Sequence, residues 1–147
     1  MAMLKTILAP TDFSDLSANG VRYACQLARD MGAALIIFNV VALDESNAVN
    51  KREIEQHKKR LEEFVAEKVA DAGVGLKVRQ MVDAGQPFGA IVDCAEKERV
   101  DLIVMSSHGR SGLSRMLIGS VTDKILRGGS CPVLVVPDKH GMSGKGA

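Results

Sequence analysis

The chain has 147 residues, of which 46% are hydrophobic, 25% charged and 3% aromatic, and its formal net charge is +1. That composition excludes disorder over most of the chain, because the apolar mass is enough to offset the entropy of ordering it. With no Trp, one Tyr and no overall field, it also argues against a nucleic-acid binder that stacks bases, and any anion site must be local.

The length suits one domain. Cys25, Cys94 and Cys131 are far apart with no CxxC pair, as expected of free thiols in a reducing compartment. Met1 to Lys5 lacks the basic and apolar regions of a signal peptide. The longest apolar run, Ala33 to Phe38, is six residues, against about 20 for a membrane span. The expectation is a cytoplasmic protein with no membrane or nucleic-acid partner.

Leu4 to Pro10 reads as a buried strand stopped by its proline. Ser14 can cap a helix whose inner face is Val21, Ala24, Ala28 and Met31, with Gly32 as its terminator. Ala34 to Val41 (ALIIFNVV) is a second strand. From about Asn50 to Ala72, Ile54, Leu61, Val65, Val69 and Ala72 form one stripe on a charged background, which predicts a long amphipathic helix broken by Gly73 and Gly75. Leu76 to Val82 alternates like an edge or half-covered strand, and Asp83-Ala84-Gly85-Gln86 reads as a short turn. Pro87 opens a helix with Phe88, Ile91, Val92 and Ala95 inside. Asp101 to Met105 is a fourth strand. Val121, Ile125 and Leu126 mark a last helix closed by Gly128-Gly129, and Val133 to Val136 is the fifth strand. The tail, 138–147, has the composition of a flexible segment. Five apolar strands alternating with helices imply a parallel sheet covered on both faces.

Ligands of such sheets bind beyond the carboxyl ends of the strands. The fourth exit stands out. Ser106 to Gly119 reads SSHGRSGLSRMLIG, with three glycines, four serines, two arginines and a histidine, and no acidic residue lies between Asp101 and Asp123. Glycines let backbone N–H groups approach an anion, serines donate hydroxyls, and the next helix presents its N-terminus. The alternative is a Gly/Ser loop in which Ser120 only caps that helix. Neither GxxxxGK[ST] nor GxGxxG after the first strand occurs, which argues against a P-loop or dinucleotide fold.

These residues resemble the universal stress protein family. Ile7-Leu8-Ala9-Pro10-Thr11-Asp12-Phe13-Ser14 is similar to its opening strand. Met105-Ser106-Ser107-His108-Gly109, nine residues, then Gly119-Ser120 resembles its nucleotide signature G-x-x-G-x₉-G-[ST]. Ser-Cys-Pro-Val-Leu-Val-Val-Pro at 130–137 is similar to its closing strand. The resemblance covers residues 3–137 and implies a domain over 1–137 with a five-stranded sheet of order 3-2-1-4-5, Rossmann-like and of the adenine nucleotide alpha hydrolase type. It further implies ATP in a cleft between the first and fourth exits, with any Mg or Mn held mainly by the phosphates. Pro10, Thr11 and Asp12 would line the adenosine side, with the Asp12 carboxylate on the ribose. Val40, at the end of the second strand, would meet the adenine edge and Met105 would pack on base or ribose. His108, Gly109, Gly119, Ser120, Val121 and Thr122 would surround the phosphates. Ser106 replaces the first glycine; its hydroxyl could donate to the ligand while its Cβ narrows the backbone approach.

Asp12 also reads as a helix cap beside Ser14, and His57, in a charged helix, suggests no metal role. No catalytic set is identifiable, so at most slow ATP hydrolysis is expected. An ATP-binding regulatory module acting on as yet unidentified protein partners is the favoured reading; the alternative is a dimeric interaction or scaffold protein of the same fold that binds no nucleotide. Val133 to Val136 would be an apolar sheet edge, and the resemblance implies a homodimer through it.

Overall fold

The structure, a computed structural model, describes residues 4–43, 46, 48–107 and 120–137. In chain order these form β1 (Thr6–Pro10), α1 (Asp15–Met31), β2 (Ala34–Ala42), α2 (Lys51–Phe64), a π-helical segment (Val65–Val69), α3 (Ala70–Gly73), β3 (Val78–Gly85), α4 (Pro87–Lys97), β4 (Leu102–Ser106), α5 (Ser120–Gly128) and β5 (Val133–Val136). All strand pairs are parallel, and the order is β3-β2-β1-β4-β5. The order and the helix-covered parallel sheet agree with the sequence reading.

Alternation along the strands divides the core in two. Ile7 and Ala9 of β1, Leu35 and Ile37 of β2 and Val104 of β4 face α1 and the second helical segment, where Val21, Ala24, Ala28, Leu61, Phe64 and Val69 close over them. Leu8, Ile36, Phe38, Ile103 and Met105 face the other way, onto Ala90, Ile91, Cys94 and Ala95 of α4 and Ile125 of α5. A strand buried on both faces needs apolar residues at both parities, which is why β1 and β2 are nearly unbroken hydrophobic runs.

The helix ends follow their capping residues. Ser14 accepts from the Ser17 amide at 3.0 Å, and Gly32 takes φ 67°, a left-handed conformation open to glycine. Asn50 accepts from the amides of Arg52 and Glu53 at 3.0 and 3.3 Å. No helix among the described residues is long and apolar enough to cross a membrane.

Three expectations need correction. Met31, expected on the inner face of α1, is its last residue and is 43% exposed. The helix expected to run unbroken to Ala72 widens into π geometry over Val65–Val69. Arginines of α1 bind the carbonyls there: Arg22 Nε donates to Lys68 O at 2.8 Å, and the Arg29 guanidinium donates to Ala72 O and, at 2.8 Å, to Val74 O. The expected turn at Asp83-Ala84-Gly85 is instead strand. β2 runs on to Ala42, so β3 has a partner for each of these residues, in the register Val40↔Asp83, Val41↔Ala84 and Ala42↔Gly85. Only Gln86 separates β3 from Pro87.

Candidate functional site

The sheet opens at its centre. β1 and β4 are in register only at Ile7↔Leu102 and Leu8↔Ile103. β1 continues with β2 to Pro10↔Phe38, while β4 continues with β5 to Ser106↔Val136. Beyond Leu8 and Ile103 each central strand follows its outer neighbour. The first crossover from β1 and the return to β4 lie on opposite sides of this point, which is the position where doubly wound sheets bind ligands.

Val40, Met105 and Val121 belong to one apolar cluster beside the opening. Pro10 shares the sheet face of Leu8 by alternation, and it is half-buried, as are Val40 and Val121. Three of the residues expected to meet a base or sugar, Pro10, Val40 and Met105, therefore stand on one face of the sheet. Val40 is not the end of its strand, which extends two residues further.

The turn leaving β1 is fixed by side chains. The Thr11 amide donates to Phe38 O at 2.8 Å. The Thr11 hydroxyl lies 2.6 Å from the Ser17 hydroxyl and accepts from the Phe13 amide at 3.0 Å. Thr11 is only 6% exposed, so its side chain serves the turn rather than an open cleft. Asp12 Oδ1 accepts from the Ser14 amide at 3.0 Å, so this half-buried carboxylate does take part in the entry to α1, next to the Ser14 cap. Phe13 takes φ 71°, a left-handed conformation uncommon for a bulky residue.

A polar chain unseen in the sequence reading runs from this turn to α2. Asn39, 3% exposed, donates from Nδ2 to Thr11 O at 2.8 Å. Its Oδ1 lies 2.8 Å from His57 Nδ1. The His57 ring packs against Phe13 with centroids 5.7 Å apart, and Phe64 meets the same ring edge-on at 6.0 Å. The Arg60 guanidinium sits 4.4 Å from the Phe13 ring centre. The available signal was Asn39 itself, the one polar residue of ALIIFNVV, because a buried amide demands partners.

Ser106 is turned away from the opening. Its hydroxyl donates to Leu16 O at 2.6 Å and accepts from the Gly20 amide at 3.0 Å, both on α1. The expected hydroxyl contact to a ligand is thereby corrected: the single O–H of serine is already committed. Thr122, 4% exposed, donates from its hydroxyl to Ser106 O at 3.2 Å. This bond ties the first turn of α5 to the end of β4, so the side chain expected near the phosphates acts as an anchor for α5. Ser120 is the exposed first residue of α5. The expectations for His108, Gly109 and Gly119, and for the tail 138–147, fall outside the described residues.

An open parallel sheet that parts between β1 and β4, with helices on both faces, defines a doubly wound α/β fold. The model of the universal stress protein family matches residues 3–137. The chain is 31% identical over 148 residues to universal stress protein MJ0531 of Methanocaldococcus jannaschii, covering 91% of this chain and 82% of that one. It is 30% identical over 149 residues to universal stress protein YxiE of Bacillus subtilis, covering 91% and 99%. Among solved structures, a universal stress protein in complex with cAMP is 27% identical, with a TM-score of 0.71 and coverage of 92% and 98%. This chain belongs to the universal stress protein family.

Proposed function

We propose that this protein binds ATP in the opening between β1 and β4 and acts as a nucleotide-dependent regulatory or sensor module in the stress response. The observation that carries the reading is the parting of the central strands beyond Leu8 and Ile103, with Pro10, Val40, Met105 and Val121 beside it. The sequence Gly109-x₉-Gly119-Ser120 supplies the glycines that a polyphosphate needs. Ser106 in place of the signature's first glycine does not weigh against this, since its side chain lies on α1. A family relative solved with cAMP supports the adenine nucleotide class. Any Mg or Mn ion would be carried mainly by the phosphates, and hydrolysis would be slow at most.

The working unit is a homodimer. β5 is the last strand of the sheet, so one row of its backbone groups faces outward, and Val133–Val136 can pair antiparallel with a second copy. The setting is the cytoplasm, and the clients are other proteins.

The test is to purify the protein, denature it, identify any released nucleotide by chromatography, and titrate ATP by calorimetry. Co-purified adenine nucleotide, or micromolar binding abolished by Gly119→Val, bears the reading out. A protein that is empty and binds no ATP favours the scaffold alternative. Sedimentation as a monomer at micromolar concentration would sink the dimer.

A further inference from the structure

We propose that Asn39 and His57 are positioning residues for the bound nucleotide: they hold the Thr11–Phe13 turn, and with it Asp12, from the side of α2. The proposal rests on the nucleotide site proposed above.

Asn39 lies in the most buried strand of the molecule. Ile36, Ile37 and Phe38 before it are 0% exposed and Asn39 itself 3%. An amide here is costly if left unpaired, whereas a valine would suit the strand without partners. Both ends of the amide are answered. The Thr11 carbonyl can only accept, so the Asn39 nitrogen must face it. The Asn39 oxygen then faces His57, whose Nδ1 must carry the proton. The hydrogen bonding is therefore directional, from α2 through β2 to the main chain of Thr11.

The same helix grips the turn a second time. Phe13 keeps its left-handed φ of 71°, a conformation that persists only where its surroundings over-determine it. Those surroundings are His57, Arg60 and Phe64, all from α2. Asp12 is thus flanked by Phe13, which packs on α2, and by Thr11, which α2 reaches through Asn39. A pair serving only to stabilise the fold would need no link to this turn; an apolar strand residue would suffice.

The test compares wild type with Asn39→Leu, His57→Leu and His57→Gln, the last keeping an N–H for Asn39. Leu61→Val is the control, since it loosens the packing of α2 without touching the polar pair. ATP and adenosine are titrated by calorimetry, and amide exchange of the Phe13–Ser14 segment is followed without ligand. Asn39→Leu and His57→Leu are expected to weaken ATP and adenosine by the same factor, about five- to tenfold, as for one lost hydrogen bond. The double variant should be no weaker than Asn39→Leu, and His57→Gln should stay within about twofold of wild type. Unchanged affinities in Asn39→Leu and His57→Leu, or an equal loss in Leu61→Val, would overturn the proposal. If wild type binds neither ligand, the nucleotide reading alone has failed. The exchange data then decide on the pair: faster exchange at Phe13 and Ser14 in both leucine variants upholds its grip on the turn, and unchanged exchange refutes it.

Discussion

The Ser106 side chain of β4 stands between Leu16 O and the Gly20 amide of α1, two groups that are i,i+4 partners in a regular helix. The approach requires glycine at position 20. A Cβ built there would lie 2.8 Å from Ser106 Oγ, 2.9 Å from Ser106 N and 3.2 Å from Met105 C. This contact sets how closely α1 approaches the end of β4, beside the apolar packing of Val104 against Val21 and Ala24.

Gly20→Ala tests it. Alanine is favoured over glycine in an exposed helix interior by about 1 kcal/mol. Here two of the three clashing atoms are backbone and cannot rotate away, so overpacking wins. The expected result is a destabilisation of about 1–3 kcal/mol, read from the urea midpoint. An unchanged or raised midpoint would mean that α1 does not sit this close to β4.

Ser106→Ala separates the clasp from any ligand contact. Losing the hydroxyl should cost about 1 kcal/mol, since Leu16 O and the Gly20 amide can partly serve each other. ATP affinity should stay within about twofold, because the hydroxyl faces α1 rather than the opening. A tenfold loss of affinity would place the hydroxyl on the nucleotide.

Asp101 joins the start of β4 to the start of β1. Its Oδ2 accepts from the amides of Lys5 and Thr6 at 2.8 and 3.0 Å, and its own amide donates to Thr6 O at 2.9 Å. Asp101→Ala removes the side-chain half of this clamp. It should lower stability by about 1–3 kcal/mol, as for hydrogen bonds to a charged acceptor. Amide exchange at Thr6 should rise with it, while Ile7, 0% exposed, stays protected.

The thiols should be inert in the folded protein. Burial pushes Cys25 and Cys94 from 9.0 up to about 11, with the Glu98 carboxylate adding to the effect at Cys94. Burial and Asp101 raise Cys131 as well. Iodoacetamide at neutral pH should leave Cys25 and Cys94 unmodified unless urea is present. The sign for stability follows from linkage. Above pH 9 the unfolded chain loses thiol protons that the folded chain keeps, so stability is full below pH 9 and falls between pH 9 and about 11. The double variant Cys25→Ala, Cys94→Ala should flatten that alkaline slope.

The frame of the fold was readable because local signals agreed. Apolar runs at both parities marked β1, β2 and β4 as buried strands, Ser14 and Gly32 bracketed α1, and alternation marked β3 as an edge or half-covered strand, of which the structure has the edge. The failures have a common physical origin. Asp83-Ala84-Gly85 has turn-forming residues, yet it is strand because β2 extends to meet it, a partner 43 residues away in the register Val40↔Asp83. The π segment carries no signature of its own, since the stripe Val65, Val69 and Ala72 suits an α-helix equally. For the site, the family resemblance named Pro10, Val40, Met105 and Val121, and the structure places Val40, Met105 and Val121 in one apolar cluster. The roles of Thr11, Ser106 and Thr122 as internal anchors were not visible, because a hydroxyl's direction depends on neighbours brought in from other elements. Asn39 and His57, 18 residues apart on different elements, belong to no periodic pattern.

The central place of β1 fixes the order in which the molecule can be assembled. Its register with β2 joins residues 28 apart, Thr6↔Ala34, whereas its register with β4 joins residues 95 apart, Ile7↔Leu102. Closing the longer loop carries the larger entropic cost and must wait for β4 to emerge during synthesis. Until then β1 has one bare edge in the middle of what will become the core, and the Asp101 clamp and the Ser106 clasp are both missing. The opening between β1 and β4 is therefore made last, by the final third of the chain. A newly made chain completes this opening only as it buries the edge most prone to aggregate.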